Sequence, residues 1–238
     1  MAADFGVVVN LLHFQGDGGT GFDLLPSQLV VAGWTGRDAA AIEHHIEELA
    51  AIGVRRPSSV PLYYRMSRRL LTQDDALEML GTATSGEAEP VLLRHGGRWW
   101  LTIGSDHTDR AVETYSVAVS KQLCAKPLAH HAWAWDDVAA TADTLTLHSE
   151  IFEHGQWVPY QDGLLAHIRP LQSLVDGLPP DVPVADGLLL FCGTLGAIPR
   201  ADGAGIRPAE RMRIELIDTA GGRRITHEYA VLPLPLVA

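Results

Sequence analysis

The sequence predicts an α+β fold, mostly β, in a single domain, and three observations carry that reading. Short runs rich in β-branched and aromatic residues recur along the chain, divided by Gly, Pro and Asp turns. Only Ala39 to Ile52 has the length and apolar spacing of a well-made helix. No internal repeat or linker divides the 238 residues, a length at which one domain buries roughly 70% or more of its unfolded surface. Hydrophobic residues at 47% and charged residues at 20% exclude a disordered chain.

Phe5 to Phe14 reads as a strand, and Gly16 to Gly21 turns it into a second extended piece ending at Trp34. The expected organisation is one domain over 1–238, with an N-terminal hairpin over 1–30 and a core over 31–238. The glycine cluster lacks a following Lys-Ser/Thr and an opening helix, so it fails both phosphate-loop templates. In the helix, Asp38 is the expected cap, Ile42, Ile46 and Leu49 form one stripe, and Gly53 ends it. Thr72 to Leu80 is expected to add a short second helix, since Thr72 and Asp75 have capping-box spacing and Gly81 follows. Beyond it, Pro90 to Arg94, Trp99 to Ile103, Leu145 to Phe152 and Leu188 to Cys192 read as strands. Ala111 to Val119 suits helix or strand.

With 18 Lys+Arg against 29 Asp+Glu, the net charge of -11 repels nucleic acid and anionic membranes. The one basic cluster, Arg65 to Arg69, is short and followed by Asp74 and Asp75, as on a solvated face. No signal-like start or apolar run near 20 residues is present, and Cys124 and Cys192 are too few for a disulfide framework. The expected setting is a reducing cytoplasm.

Three carboxylates bear on chemistry. Strand period puts Glu87 and Glu89 on one face, about 7 Å apart. Like charges so placed are relieved by a hard divalent cation, Mg²⁺ or Mn²⁺, or else lie on a solvent-exposed strand face. Asp106 follows the apolar stretch Trp99 to Ile103 and is a candidate third oxygen ligand, with Arg110 an anion contact if the strand continues. The alternative is a turn held by Asp and Thr side chains. On the helix, His45 falls at the edge of the apolar stripe with Glu48 three residues on, whereas His44 and Glu47 point away. That pair suits a water-activating base oriented by a carboxylate. Lys121 is placed to neutralise a developing oxyanion. His130-His131 reads as a non-ligating pair, because adjacent strand residues face opposite ways, and the two cysteines read as small core residues.

The order of these motifs resembles the fumarylacetoacetate hydrolase superfamily. A His-x-x-Glu helix (His45 to Glu48), a Glu-x-Glu strand (Glu87 to Glu89) and an Asp-x-Thr-x-Arg segment (Asp106 to Arg110) come first. A Lys-led segment ending in Pro (Lys121 to Pro127), a Gln (Gln161) and a late Gly-Thr turn (Gly193-Thr194) follow. The phrases AGWTGRD, SGEAEP, GSDHTDR and FCGTL look like those of a bacterial family of uncharacterised function near that superfamily. The interval from Glu89 to Asp106 is shorter than is usual there, and Cys124 stands where an Asp is common. The resemblance implies a mixed β-sandwich or roll with a few helices. It also implies Mg²⁺ or Mn²⁺ held by Glu87, Glu89 and Asp106, and substrate contacts from Lys121, Gln161, Gly193 and Thr194. The implied protein is a homodimer acting on a small anionic 2-oxo or 1,3-dicarbonyl acid, with His45 and Glu48 activating water for C–C hydrolysis. Decarboxylation, hydration and isomerisation share that scaffold, and a metal-free binding protein is the rival from another class.

Overall fold

The computed structural model describes residues 10–51 and 56–237, and for residues 45 and 48–51 the helical backbone alone. In chain order the strands are β1 (Leu12–Gly16), β2 (Gly21–Leu24), β3 (Gln28–Gly33), β4 (Leu62–Met66), β5 (Leu71–Thr72), β6 (Ala76–Leu80), β7 (Thr84–Ser85), β8 (Ala88–His95) and β9 (Arg98–Ser105). They continue with β10 (Thr108–Asp109), β11 (Lys126–Pro127), β12 (His131–Ala134), β13 (Thr146–Glu153), β14 (Gln156–Leu164), β15 (Leu188–Phe191), β16 (Arg211–Asp218) and β17 (Arg223–Leu234). The helices are α1 (Ala39–Ala51), α2 (Arg110–Glu113), α3 (Val117–Gln122) and α4 (Leu171–Asp176). The fold is mostly β, as the turn-divided apolar runs predict.

An eight-stranded mixed sheet runs β2-β1-β12-β9-β8-β15-β3-β4, and a five-stranded sheet runs β14-β13-β16-β17-β6. The central strands of the large sheet are buried on both faces, which explains their unbroken apolar runs. Val30, Leu92, Leu101 and Leu190 face the five-stranded sheet and meet Leu147, Ile151, Met212 and Ile214. Their neighbours Leu29, Val31, Val91, Leu93 and Phe191 face the other way, onto Leu12, Phe14 and Leu24. β1 and β2 form an antiparallel hairpin with Leu12 opposite Leu24; residues 5–9 of the expected first strand lie outside the described residues.

Helix α1 begins where the sequence places it, with Asp38 Oδ1 accepting from the backbone N–H of Ala40 and Ala41. Its expected end at Ile52 and Gly53 lies outside the described residues. The second helix expected over Thr72 to Leu80 is not formed. Thr72 closes a turn with Asp74 instead, and Ala76–Leu80 is a strand paired in parallel with β17. Its buried Leu77 and Met79 alternate with exposed neighbours, so period-two burial against the core outweighs a local capping pattern. The open segment Ala111 to Val119 contributes to two short helices, capped by Asp109 and Ser116. Among the described residues no helix is long and apolar enough to cross a membrane.

Candidate metal centre

The site is built on one local hairpin. β8 and β9 pair with Ala88 opposite Ser105 and Glu89 opposite Gly104, and the turn between them passes through Gly96 and Gly97 at φ of 60° and 74°. This register carries the residues flanking the pair, Glu87 and Asp106, to one place, where the Asp106 N–H donates to Glu87 O at 2.9 Å. The short interval between Glu89 and Asp106 is therefore the length of a hairpin without an inserted helix. Two glycines permit the approach. A Cβ on Gly86 would lie 2.3 Å from Met212 Sδ and Tyr229 Oη, and one on Gly104 would lie 2.8 Å from Leu128 and Phe191.

One carboxylate oxygen each from Glu87, Glu89 and Asp106 lies within 4.8 Å of the others. Asp106 and Glu89 are buried, at 0% and 2% exposure, and Glu87 is half-buried. Burial, then the Asp106 charge, pushes the Glu89 carboxyl well above its ordinary range, although Gly193 N–H donates to its Oε2 at 2.7 Å. Burial acts in the same sense on Asp106, but Lys121 and Lys126 outweigh it and hold that carboxyl below its usual value. Lys121 Nζ donates to Asp106 Oδ2 and stands 3.7 Å from Glu87 Oε2. Burial opposes its charge, yet Asp106, Glu87 and Glu89 together raise its pKa. Asp106 Oδ1 is buried with no hydrogen-bond partner. Three carboxylates converging on one place are an all-oxygen donor set suited to a hard divalent cation, with coordination positions left for water or substrate.

Arg110 reaches the cluster by a different route from the one its strand spacing suggests. α2 begins at this residue, and its guanidinium turns back, with Nη2 3.2 Å from Glu87 Oε1, Nε on Ser85 Oγ and Nη1 on Glu113. The Asp-and-Thr turn is present too, since Thr108 Oγ1 donates to Asp106 O and Asp109 caps α2. Gln161 is buried with all four of its hydrogen-bonding positions filled. Its Oε1 accepts from Ala88 N–H and Ser149 Oγ, and its Nε2 donates to Thr194 Oγ1 and Leu195 O. Thr194 Oγ1 in turn donates to Ala88 O, so this pair fixes the Gly193-Thr194 turn against β8. Gly193 must be glycine there: its φ is +93°, and a Cβ would fall 1.7 Å from Thr35 Oγ1.

His45 and Glu48 are on α1, but their side chains lie outside the described residues. Beside them Ile46 is buried and His44 and Glu47 are exposed, in keeping with the expected stripe. Cys124 and Cys192 are free and buried, and burial pushes the Cys124 thiol up to about 11.

Sequence reasoning passed over two supports of the cluster. Lys126 is fully buried, with Nζ donating to the backbone carbonyls of His107, Lys121 and Cys124 at 2.7, 2.5 and 3.0 Å. It also stands 3.3 Å from Asp106 Oδ1; burial lowers its pKa, with Asp106 pulling the other way. The signal available was its place at the head of the apolar Pro127-Leu128-Ala129. The second support is the buried pair His107 and Tyr229. Tyr229 Oη lies 2.9 Å from Ser105 Oγ and 3.2 Å from Met212 Sδ, and His107 Nδ1 shares a 3.1 Å hydrogen bond with it. Ser105 Oγ accepts from Glu87 N–H.

A family model described as a protein of unknown function, DUF2848, matches residues 32–229. The chain belongs to the DUF2848 family. No curated protein matches this DUF2848 member by sequence. Among solved structures it is similar to a protein designated a fumarylpyruvate hydrolase from Burkholderia cenocepacia, with a TM-score of 0.66 at 16% identity over 99% of this chain and 97% of that one. It is also similar to 2-keto-3-deoxy-D-arabinonate dehydratase complexed with magnesium and 2,5-dioxopentanoate, with a TM-score of 0.60 at 19% identity over 89% and 74%. A third, 4-oxalocrotonate decarboxylase from Pseudomonas putida G7 complexed with calcium and acetate, gives a TM-score of 0.54 at 14% identity over 87% and 79%. This DUF2848 chain thus has the fumarylacetoacetate hydrolase-like fold.

Proposed function

We propose that the chain is a divalent-metal-dependent enzyme acting on a small 2-oxo or 1,3-dicarbonyl acid, and that its reaction is hydrolysis of a C–C bond. The observation that carries this is the convergence of Glu87, Glu89 and Asp106, with Lys121 beside them. These three residues would hold Mg²⁺ or Mn²⁺, which supplies Lewis-acid polarisation of a substrate oxygen when bound. The rest falls to the chain itself. Lys121, kept charged by the carboxylates around it, offsets negative charge that develops on a substrate oxygen nearby. Arg110 steadies Glu87 from its other side. The Gly193-Thr194 turn, held by Gln161, is assigned to border the substrate carboxylate, the Gly193 N–H and the Thr194 hydroxyl being engaged by Glu89 and Ala88. His45, oriented by Glu48, takes the proton of the water that attacks the acyl carbon. The electron pair of the breaking C–C bond passes to the departing oxo-acid fragment, whose carbon then takes the proton back from the imidazolium.

The neighbours' names span a hydrolase, a dehydratase and a decarboxylase, which supports an enzyme on oxo acids and leaves the choice of hydrolysis resting on His45 and Glu48. The proposal includes a homodimer, supported by the exposed apolar side chains Tyr115, Val119 and Leu123 on and beside α3, and a cytoplasmic setting. Metal analysis, a Mg²⁺/Mn²⁺ thermal-shift titration and assay against oxaloacetate, acylpyruvates and dienoic oxo acids test it, with light scattering for the dimer. Absence of any shift at millimolar metal, with Glu87→Gln and Glu89→Gln behaving as wild type, would overturn it.

A further inference from the structure

A cleft of about 320 Å³ opens beside the edge strand β4, lined in part by Ser59, Pro61, Tyr63, Arg169, Ser173 and Leu174. Strand alternation sets it across the sheet from the acidic cluster. Tyr63 packs into the core that meets the five-stranded sheet, whereas Tyr64 and, in step with Val91 and Leu93, Glu89 turn the other way. Arg169 is fixed at the cleft by its backbone N–H, which donates to Thr35 O at 2.8 Å. Among the described residues it is the one half-buried arginine whose guanidinium has no hydrogen bond, ion pair or aromatic partner. Its Nε is closed off from solvent without an acceptor, so the two terminal nitrogens, also without acceptors, are what the group offers to the cleft. Burial raises the Tyr63 pKa, and the charges of Arg169 and Asp176 act on it in opposite senses. Asp176 accepts from Gln172 at 2.9 Å and makes no ion pair with Arg169.

We propose that this cleft binds a small hydroxy acid, with its carboxylate on Arg169. A cation drawn partly out of water without a counter-charge destabilises the fold until an anion compensates it. In a chain of net charge -11, the arginine left without an acceptor marks where that anion belongs. The guanidinium fork matches a carboxylate through two parallel N–H···O bonds. The neutral groups define the rest of the ligand. Ser59 Oγ donates to Pro61 O at 2.9 Å, Ser173 Oγ to Pro170 O at 2.6 Å and Tyr63 Oη to Leu174 O at 2.9 Å. Each hydroxyl has thereby spent its one proton and keeps a lone pair. Among these side chains only Arg169 donates and the others accept, which complements a carboxylate joined to a hydroxyl and disfavours a second anionic group. Pro61 and Leu174 offer apolar wall to the carbon chain. The occupant bridges the segment ahead of β4 and helix α4. No lining residue belongs to the acidic cluster, so this site stands apart from the metal reading.

The test holds the full chain in millimolar Mg²⁺ and titrates 3-hydroxybutyrate by calorimetry, with thermal unfolding followed in parallel. Wild type is expected to bind the acid and to unfold at a higher temperature with it bound. Butyrate, which lacks the hydroxyl, is expected to bind several-fold more weakly, and inorganic phosphate not to compete. Arg169→Met keeps the apolar stem and is expected to weaken 3-hydroxybutyrate binding by roughly tenfold to a hundredfold while keeping the Mg²⁺ response. Without the acid, this variant is expected to unfold no lower than wild type, because it removes an unpaired charge. Glu89→Gln is expected to bind the acid as wild type does. Failure of wild type to bind, undiminished binding by Arg169→Met, equal affinity for butyrate or competition by phosphate would each overturn the site. So would a lowered unfolding temperature or loss of folding in acid-free Arg169→Met, which would mean that the guanidinium is already satisfied within the fold. Loss of binding in Glu89→Gln would overturn it too, by placing the acid at the carboxylate cluster.

Discussion

Replacing Lys126 by Met keeps most of the side-chain volume and removes one buried charge, and the cost can be worked from its contacts. At 3.3 Å from Asp106 Oδ1, with an effective dielectric of about 20, the two charges attract by about 5 kcal/mol. Three backbone carbonyls also lose a charged donor, at about 1.5–3 kcal/mol each. Against this, the variant no longer has to desolvate an ammonium group, which recovers several kcal/mol. The net should resemble the breaking of a buried pair by removal of one partner, about 3–5 kcal/mol. In a domain of this size each kcal/mol moves Tm by about 2–4 °C, so Lys126→Met should unfold roughly 6–20 °C lower. Urea denaturation should show the same loss as a lower midpoint at an unchanged slope. A loss under about 1 kcal/mol, with the Mg²⁺ response intact, would refute the claim that Lys126 is the buried counter-charge of Asp106.

Gly193→Ala should destabilise the fold and weaken Mg²⁺ binding, because a methyl group meets Thr35 and shifts the N–H that orients Glu89; thermal unfolding with and without Mg²⁺ reads both effects. Gln161→Leu strands buried partners on β8, β13 and the 193–195 turn, each worth about 1–3 kcal/mol, and urea denaturation should show a loss of several kcal/mol. His45→Ala should lower kcat by roughly 10²–10⁴ with metal affinity retained and His44→Ala nearly silent; equal losses in the two variants would remove His45 as the base. Burial first, then Lys126 and Arg110, depresses His107 to about 3, so the unfolded chain takes up this proton more readily than the folded one. Stability should therefore be fully present above about pH 6.5 and fall towards pH 3, by up to about 1.4 kcal/mol per unit. His107→Gln should flatten that part of the pH profile.

Much of this was legible in the sequence because it is local. Apolar runs marked β8, β9, β13 and β15, and Asp38 marked the start of α1. Glu87, Glu89, Asp106 and Lys121 were recognisable as charges set beside core strands and by their order along the chain. The Thr72 segment misled because Thr72 closes a turn with Asp74 instead of pairing with Asp75 in a helix cap, and the strand that decides the matter, β17, lies some 150 residues downstream. Distance along the chain hid the rest. His107 meets Tyr229 across 122 residues, and Gln161 meets Ala88 across 73, so no local pattern reports either contact. The buried role of Lys126 was invisible for another reason: a lysine ahead of an apolar run looks the same whether its ammonium faces water or three carbonyls.

Because the β8–β9 hairpin alone brings Glu87 and Glu89 to Asp106, the cluster tolerates divergence unevenly. Insertion of a single residue within the paired part of β9 would reverse the alternation of the residues that follow and turn Asp106 away from the two glutamates. Segments outside the hairpin carry no such constraint. Lineages descended from this chain would be free to vary there, while indels within β8 or β9 would be purged wherever the cluster is under selection.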